Sequence, residues 1–222
     1  MDTNVSLPKQ SSRILALDIL RGITIAGMIL VNNPGSWSSI YTPLGHASWH
    51  GLTPTDLVFP FFMFIMGIST FISLRKSNFK ASKASVLKVV KRTVVIFLIG
   101  IFLAWFGLSM STYHKLAPEG LSIWSRLFAA VTNFENIRIM GVMQRLALTY
   151  GITALLAMFV KHKYFPYIIV SILISYFFIL LFGDGFESAE NQGSIVYIID
   201  KAILGASHLY RSGAVVDPEG LV

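Results

Sequence analysis

His46 and His50 stand four residues apart in Gly45-His46-Ala47-Ser48-Trp49-His50-Gly51, and Asp56 follows at the mouth of a long apolar run. An imidazole beside a carboxylate and partly out of water can act as a base or a nucleophile near neutral pH. That points to proton abstraction or acyl transfer, with His46 or His50 as the reacting ring. Asp56 has a second reading. An acid in the first turn of a helix suits the macrodipole, and Thr53 or Thr55 can cap the same turn. Two histidines at this spacing on a helix would suit a metal. Here Gly51 and Pro54 make the stretch a loop, and no third ligand stands nearby. No metal site is expected.

Other polar residues sit where polarity is expensive. An ionisable group inside a membrane span costs about 2.5–3.5 kcal/mol by insertion scales. Asp18 and Arg21, three apart, share a helix face and can pair. They read either as a snorkelling pair at a helix end or as a vestibule where Arg21 meets the phosphates of an anionic carrier. Gln144 and Arg145 open a later apolar run. Arg145 can pair with Asp56 at the same level and fix helix register. Asn32 and Asn33 end the first run, as helix C-caps or as donors to a carbonyl or an imidazole. His114, His162 and His208 lack such company.

The elements that must position these groups follow from composition. Of 222 residues, 54% are apolar and 13% charged, with a mean hydropathy of +0.66. Soluble domains carry roughly 25% charge. The chain reads as an integral membrane protein, with the lipid bilayer as its first partner. It has no cysteine, which excludes disulfides, zinc–thiolate sites and cysteine nucleophiles. Asp18 and Arg21 interrupt the first apolar run and no small-residue cleavage site follows, so that run reads as a retained helix.

Five runs are long enough to cross a bilayer, at about 14–33, 56–74, 94–110, 139–160 and 164–182. They lack the period-2 alternation of strands. The expected fold is an all-α, polytopic transmembrane helix bundle, with one membrane domain over 1–222. Residues 121–137 and 194–210 carry apolar residues at helical spacing and are expected to be interfacial or re-entrant helices on the outer side. Asp217-Pro218-Glu219-Gly220 is a turn or helix-start signal, so further chain is expected beyond it.

The formal net charge is +7. The cations flank apolar runs, which argues for membrane topology and against nucleic acid. The 75–93 segment holds Arg75, Lys76, Lys80, Lys83, Lys88, Lys91 and Arg92 without an acid, and 161–163 reads Lys-His-Lys. These segments and the Lys9–Arg13 tail fall on one side if the N-terminus is cytoplasmic. The His46 loop then faces outward.

Four blocks in order, Leu15–Asn33, His46–Gly67, Arg138–Tyr150 and Ile203–Leu221, resemble the heparan-α-glucosaminide N-acetyltransferase family. The resemblance implies a polytopic enzyme that takes acetyl from cytoplasmic acetyl-CoA and gives it to an amino sugar on the other side. It implies that His46 is the acetyl carrier or base, and that Asn32 matches the family's asparagine at the end of the first span. Where the family usually has asparagine after the tryptophan, this chain has His50, so either imidazole can be the actor. Asp56 would orient the ring, and Asn32 could donate to the oxyanion, a contact worth about 2.7–4 kcal/mol. Asp18, Arg21, Trp49, Gln144 and Arg145 are the expected binding residues for donor or acceptor. The family continues through several more helices. The short N-terminus favours a bacterial inner membrane over a lysosome, and a homo-oligomer stays open. The rival readings are a membrane transporter and a non-catalytic scaffold. A transporter predicts inverted repeats, and the chain has no internal repeat.

Overall fold

The computed structural model describes residues 14–47, 50–187, 192–210 and 216–221. Among the described residues seven α-helices carry the fold: α1 (Leu15–Val31), α2 (Val58–Arg75), α3 (Lys83–Lys115), α4 (Ile123–Val131), α5 (Val142–Phe159), α6 (Phe165–Phe182) and α7 (Ile195–Leu204). No strand occurs among the described residues. The chain divides inside α2 into two compact units, Met1–Met66 and Gly67–Val222.

Among the described residues, four helical stretches are long and apolar enough to cross a membrane. They are Thr55–Arg75, Lys83–Lys115, Val142–Phe159 and His162–Phe182. Three match the expected spans closely, and the protein is a helical membrane bundle. The fifth expected span, α1, has 17 residues and carries Asp18 and Arg21 in its first two turns. At 1.5 Å per residue it is about 25 Å long, against a hydrocarbon core of about 30 Å.

The third span differs most from expectation. Its helix does not begin near 94 but at Lys83, inside the basic segment, and runs 33 residues to Lys115. Ser82 caps it, its hydroxyl accepting from the Ser85 N–H at 3.1 Å. Lys88, Lys91 and Arg92 do not end the helix, because lysine and arginine are good helix formers. At about 50 Å, α3 exceeds the bilayer core, and its ends must project.

In the second unit the core is the α3–α5 seam. The buried residues of α5 are Gln144, Ala147, Tyr150, Gly151, Ala154 and Met158, which recur every three or four positions on one face. They meet α3 at two notches. A Cβ at Gly151 would lie 2.6 Å from Thr93 Oγ1, and one at Gly100 would lie 2.6 Å from Gln144 Oε1. Small residues allow this close approach, which is how helices associate in lipid, where apolar burial offers no driving force. By contrast α6 buries no residue. Its Ile, Leu and Phe side chains suit contact with acyl chains.

The two candidate amphipathic segments are short helices, α4 and α7. Trp105 Nε1 donates to the Val131 carbonyl at 3.0 Å, and Arg126 Nη2 donates to the Tyr113 carbonyl at 2.9 Å. These bonds hold α4 against the C-terminal half of α3, with Trp124 and Phe128 outward and exposed.

Candidate functional site

In the first unit, α1 ends at Asn32, and the chain crosses to α2 through the loop that carries the histidines. Gly51 takes φ +121°, a value that L side chains rarely adopt. The reversal there returns Thr53-Pro54-Thr55-Asp56 toward His46.

Asp56 then engages four donors. Its Oδ1 lies 2.6 Å from His46 Nδ1. Its Oδ2 accepts from the Thr53 N–H and the Thr53 hydroxyl, both at 2.9 Å, and from the Ala47 N–H at 3.3 Å. A carboxyl surrounded only by donors acts as an acceptor throughout, the role of the ionised form. The bond from Asp56 back to Thr53, three residues earlier, is half of a capping box. One Asp56 oxygen thus closes the helix start and the other meets the imidazole.

The Asp56 bond makes His46 Nδ1 the N–H donor and leaves Nε2 as the ring's lone-pair nitrogen. The His46 side chain is 68% exposed and that of Asp56 24%. The imidazole is therefore wetter than expected, and the carboxylate is its part-buried support. An oriented ring with an open Nε2 can abstract a proton or take an acyl group. His50, also exposed, has no such partner among the described residues. Trp49 lies outside the described residues.

Asn32 is a helix C-cap, as its position suggests. Its Nδ2 donates to the Met28 carbonyl at 2.9 Å, and Asn33 repeats the pattern with Ile29 at 2.8 Å. No hydrogen bond joins Asn32 to His46 among the described residues. Asp18 and Arg21 form the expected pair at 3.2 Å, with both side chains more than two-fifths exposed. Thr55, a candidate cap, is instead buried with its hydroxyl unpartnered.

The second unit holds the other candidates. Arg145, for which Asp56 was the expected partner, donates to the Pro218 carbonyl at 3.1 Å. Gln144 is buried and faces a cavity of about 790 Å³. Arg138 opens the third of the four blocks. It binds the carboxylates of Asp217 and Glu219 and stacks over the Tyr210 ring at 4.5 Å. The turn signal Asp217-Pro218-Glu219-Gly220 is thus an anchor. Asp217 Oδ2 also accepts from the Tyr210 N–H at 2.9 Å. No local pattern pairs residues 79 apart, although three charges and a tyrosine in the third and fourth blocks were the available signal.

No protein-family model matches the chain. It is 33% identical over 151 residues to heparan-alpha-glucosaminide N-acetyltransferase of Mus musculus, covering 67% of this chain and 20% of that protein. It is 35% identical over 146 residues to the Homo sapiens protein of the same name, covering 65% of this chain and 19% of that protein. The chain thus spans about one fifth of the length of the curated relatives it matches. At this identity over two thirds of its own residues, the chain is related at the family level to the heparan-alpha-glucosaminide N-acetyltransferases.

Proposed function

We propose that this chain belongs to a membrane acetyltransferase that moves acetyl from acetyl-CoA to the amine of a glucosamine-type sugar, with His46 as the working imidazole. The observation that carries the reading is the 2.6 Å contact between His46 Nδ1 and Asp56 Oδ1. It supports His46 over His50, because the held ring keeps one tautomer and one direction.

Two routes use this ring. In the relay, Nε2 attacks the thioester carbonyl, the C–S bond breaks, and CoA leaves as thiolate. The acetyl-imidazolium then meets the amine. The amine nitrogen forms the new C–N bond as the carbonyl's bond to Nε2 breaks, and the freed Nε2 takes the amine's proton. In direct transfer the amine attacks the thioester carbonyl, Nε2 takes its proton, the C–S bond breaks, and CoA leaves as thiolate. Asp56 stabilises the cationic ring in both. Asn32 retains one amide hydrogen beyond the Met28 bond, which suits a developing oxyanion. Asp18 and Arg21 suit the donor's phosphates.

The placement of cations supports a cytoplasmic N-terminus and an extracytoplasmic His46 loop. The charged donor then stays on one side and the sugar on the other, in a bacterial inner membrane.

The test uses the full-length protein in liposomes with isotopically labelled acetyl-CoA and no acceptor. Acetyl on His46, chased off by glucosamine, is the expected result for the relay. Product without label means direct transfer. Neither label nor product would overturn the acetyltransferase reading in favour of a transporter.

A further inference from the structure

Two helix-to-helix turns of the Gly67–Val222 unit are rich in cations and carry no acid. No aspartate or glutamate lies between Asp56 and Glu119 or between Glu135 and Asp184. The α2–α3 turn and the start of α3 hold seven cations, from Arg75 to Arg92, and the α5–α6 turn adds Lys161 and Lys163. Phe79 joins the two turns. Its backbone takes a φ of +54°, and its ring meets Phe71 at 5.3 Å and His162 edge-on at 4.2 Å. Two basic segments far apart in sequence thus form one patch at one end of this unit.

The patch is not neutralised from within. No ion pair engages its cations among the described residues. Arg92 is turned toward α5, over the Tyr150 ring at 4.8 Å. Lys83 opens α3, and no acid stands in the first turn of that helix. A cation there opposes the positive end of the helix dipole, and clustered lysines repel one another. An external anion relieves both.

The length of α3 sets the level of the patch. From Arg92 to Lys115 the helix is about 35 Å long at 1.5 Å per residue, enough to fill a hydrocarbon core of about 30 Å. The stretch from Lys83 to Arg92, about 14 Å, then falls in the headgroup layer and beyond it. Thr93 and Gly100 face α5. Lys91 is two positions from Thr93 and nine from Gly100, which puts it on the far side of the helix from both. Leu87, Val94 and Leu98 share that outer side with Lys91, and all three are exposed.

This combination selects the ligand. A soluble anion would meet the lysines and leave Leu87, Val94 and Leu98 bare. A phospholipid matches both, with its phosphate at the lysines and its acyl chains along the outer side of α3. Lysine is a point charge on a flexible stem, without the planar fork that reads one anion's geometry. The patch therefore selects negative charge over zwitterionic headgroups, and not the shape of one headgroup.

We infer that the patch formed by the α2–α3 turn, the start of α3 and the α5–α6 turn binds the headgroup phosphates of anionic phospholipids, with Lys83, Lys91 and Lys161 among its contacts. The inference makes no use of the acetyltransferase reading.

The experiment uses the full-length protein in micelles containing equal amounts of phosphatidylglycerol and phosphatidylcholine with the same acyl chains. Native mass spectrometry counts each lipid retained by the parent, by Lys91→Gln with Lys161→Gln, and by Lys115→Gln with Lys201→Gln. The first pair takes one cation from each turn. The second removes the same charge outside the patch. Glutamine keeps the helix propensity of lysine, and the other cations of both turns remain to direct insertion. The parent should prefer phosphatidylglycerol about tenfold or more. That preference should weaken about fivefold or more in the first pair and hold in the second. Equal retention of the two lipids by the parent, an undiminished preference in the first pair, or an equal loss in both pairs would overturn the inference. Release of phosphatidylglycerol by excess inorganic phosphate would assign the patch to a soluble anion and overturn the lipid reading. Acetyl transfer is not a readout, so failure here leaves the acetyltransferase reading untouched.

Discussion

His46 Nδ1 and Asp56 Oδ1 lie 2.6 Å apart across ten residues of loop, and the same carboxylate ties that loop to the start of α2. Asp56→Asn separates the two roles. The amide keeps the shape and one acceptor oxygen, but its NH2 must face a donor. Either the His46 tautomer inverts or a bond to Thr53 is lost. By the precedent of carboxylate-held histidines, turnover should fall by about 10²–10⁴-fold. Initial rates of acetylglucosamine formation in proteoliposomes, normalised to inserted protein, check this. A loss below threefold would show that the pairing serves the loop alone.

The two histidines should separate cleanly. His46→Ala removes the oriented ring and should abolish transfer while membrane insertion stays normal. His50→Ala removes an imidazole that Asp56 does not engage and should keep at least half the parent rate, by the general rule for surface substitutions. Parallel assays of both variants decide it, and the reverse order would reassign the chemistry to His50.

What sequence could reveal here depended on distance along the chain. The His46–Asp56 pairing was legible because a glycine and a proline bring residues ten apart together. The limits of α2, α5 and α6 were legible because charged or turn residues bound those apolar runs. The length of α3 was not. Hydropathy reports the solvent around a segment, whereas helix continuity is set by backbone hydrogen bonds and the Ser82 cap. Partners far apart in sequence were equally hidden. Arg145 meets Pro218, 73 residues on, and Arg138 meets Asp217. The cavity beside Gln144 also escaped, because it needs α3, α5 and the 133–141 segment assembled before it exists.

Arg138 gives a stability prediction. The Asp217 side chain is fully buried and that of Arg138 is 24% exposed. Burial works against the guanidinium's charge, but the Asp217 and Glu219 carboxylates outweigh it and raise its pKa further. Arg138→Met would leave Asp217 charged and buried without its cation, a change that costs about 3–5 kcal/mol in comparable pairs. Thermal unfolding in detergent micelles should show a clear drop in Tm. Arg138→Met with Asp217→Asn should recover part of the loss, because the stranded charge is gone. An unchanged Tm in Arg138→Met would show that the 216–221 segment contributes nothing to the fold.

The α3–α5 seam supplies a prediction that tests packing alone. Gly151 faces Thr93, and a Cβ there would fall 2.6 Å from its Oγ1 and 3.0 Å from its Cγ2. Threonine cannot rotate away freely, because β-branching leaves it few χ1 wells and its hydroxyl already donates to the Val89 carbonyl at 3.0 Å. Gly151→Ala must push the helices apart, at about 1–3 kcal/mol for overpacking. Thr93→Ala removes the obstructing atoms and by itself opens a small void. Combined, the two substitutions exchange volume across the contact. The double variant should be more stable than the sum of the single changes allows, with a coupling of about 0.5–3 kcal/mol. Denaturant titration of all four proteins in the same micelle measures that coupling. Strict additivity would mean that Gly151 and Thr93 do not touch, and the seam would have to be held at Gly100 and Gln144 instead.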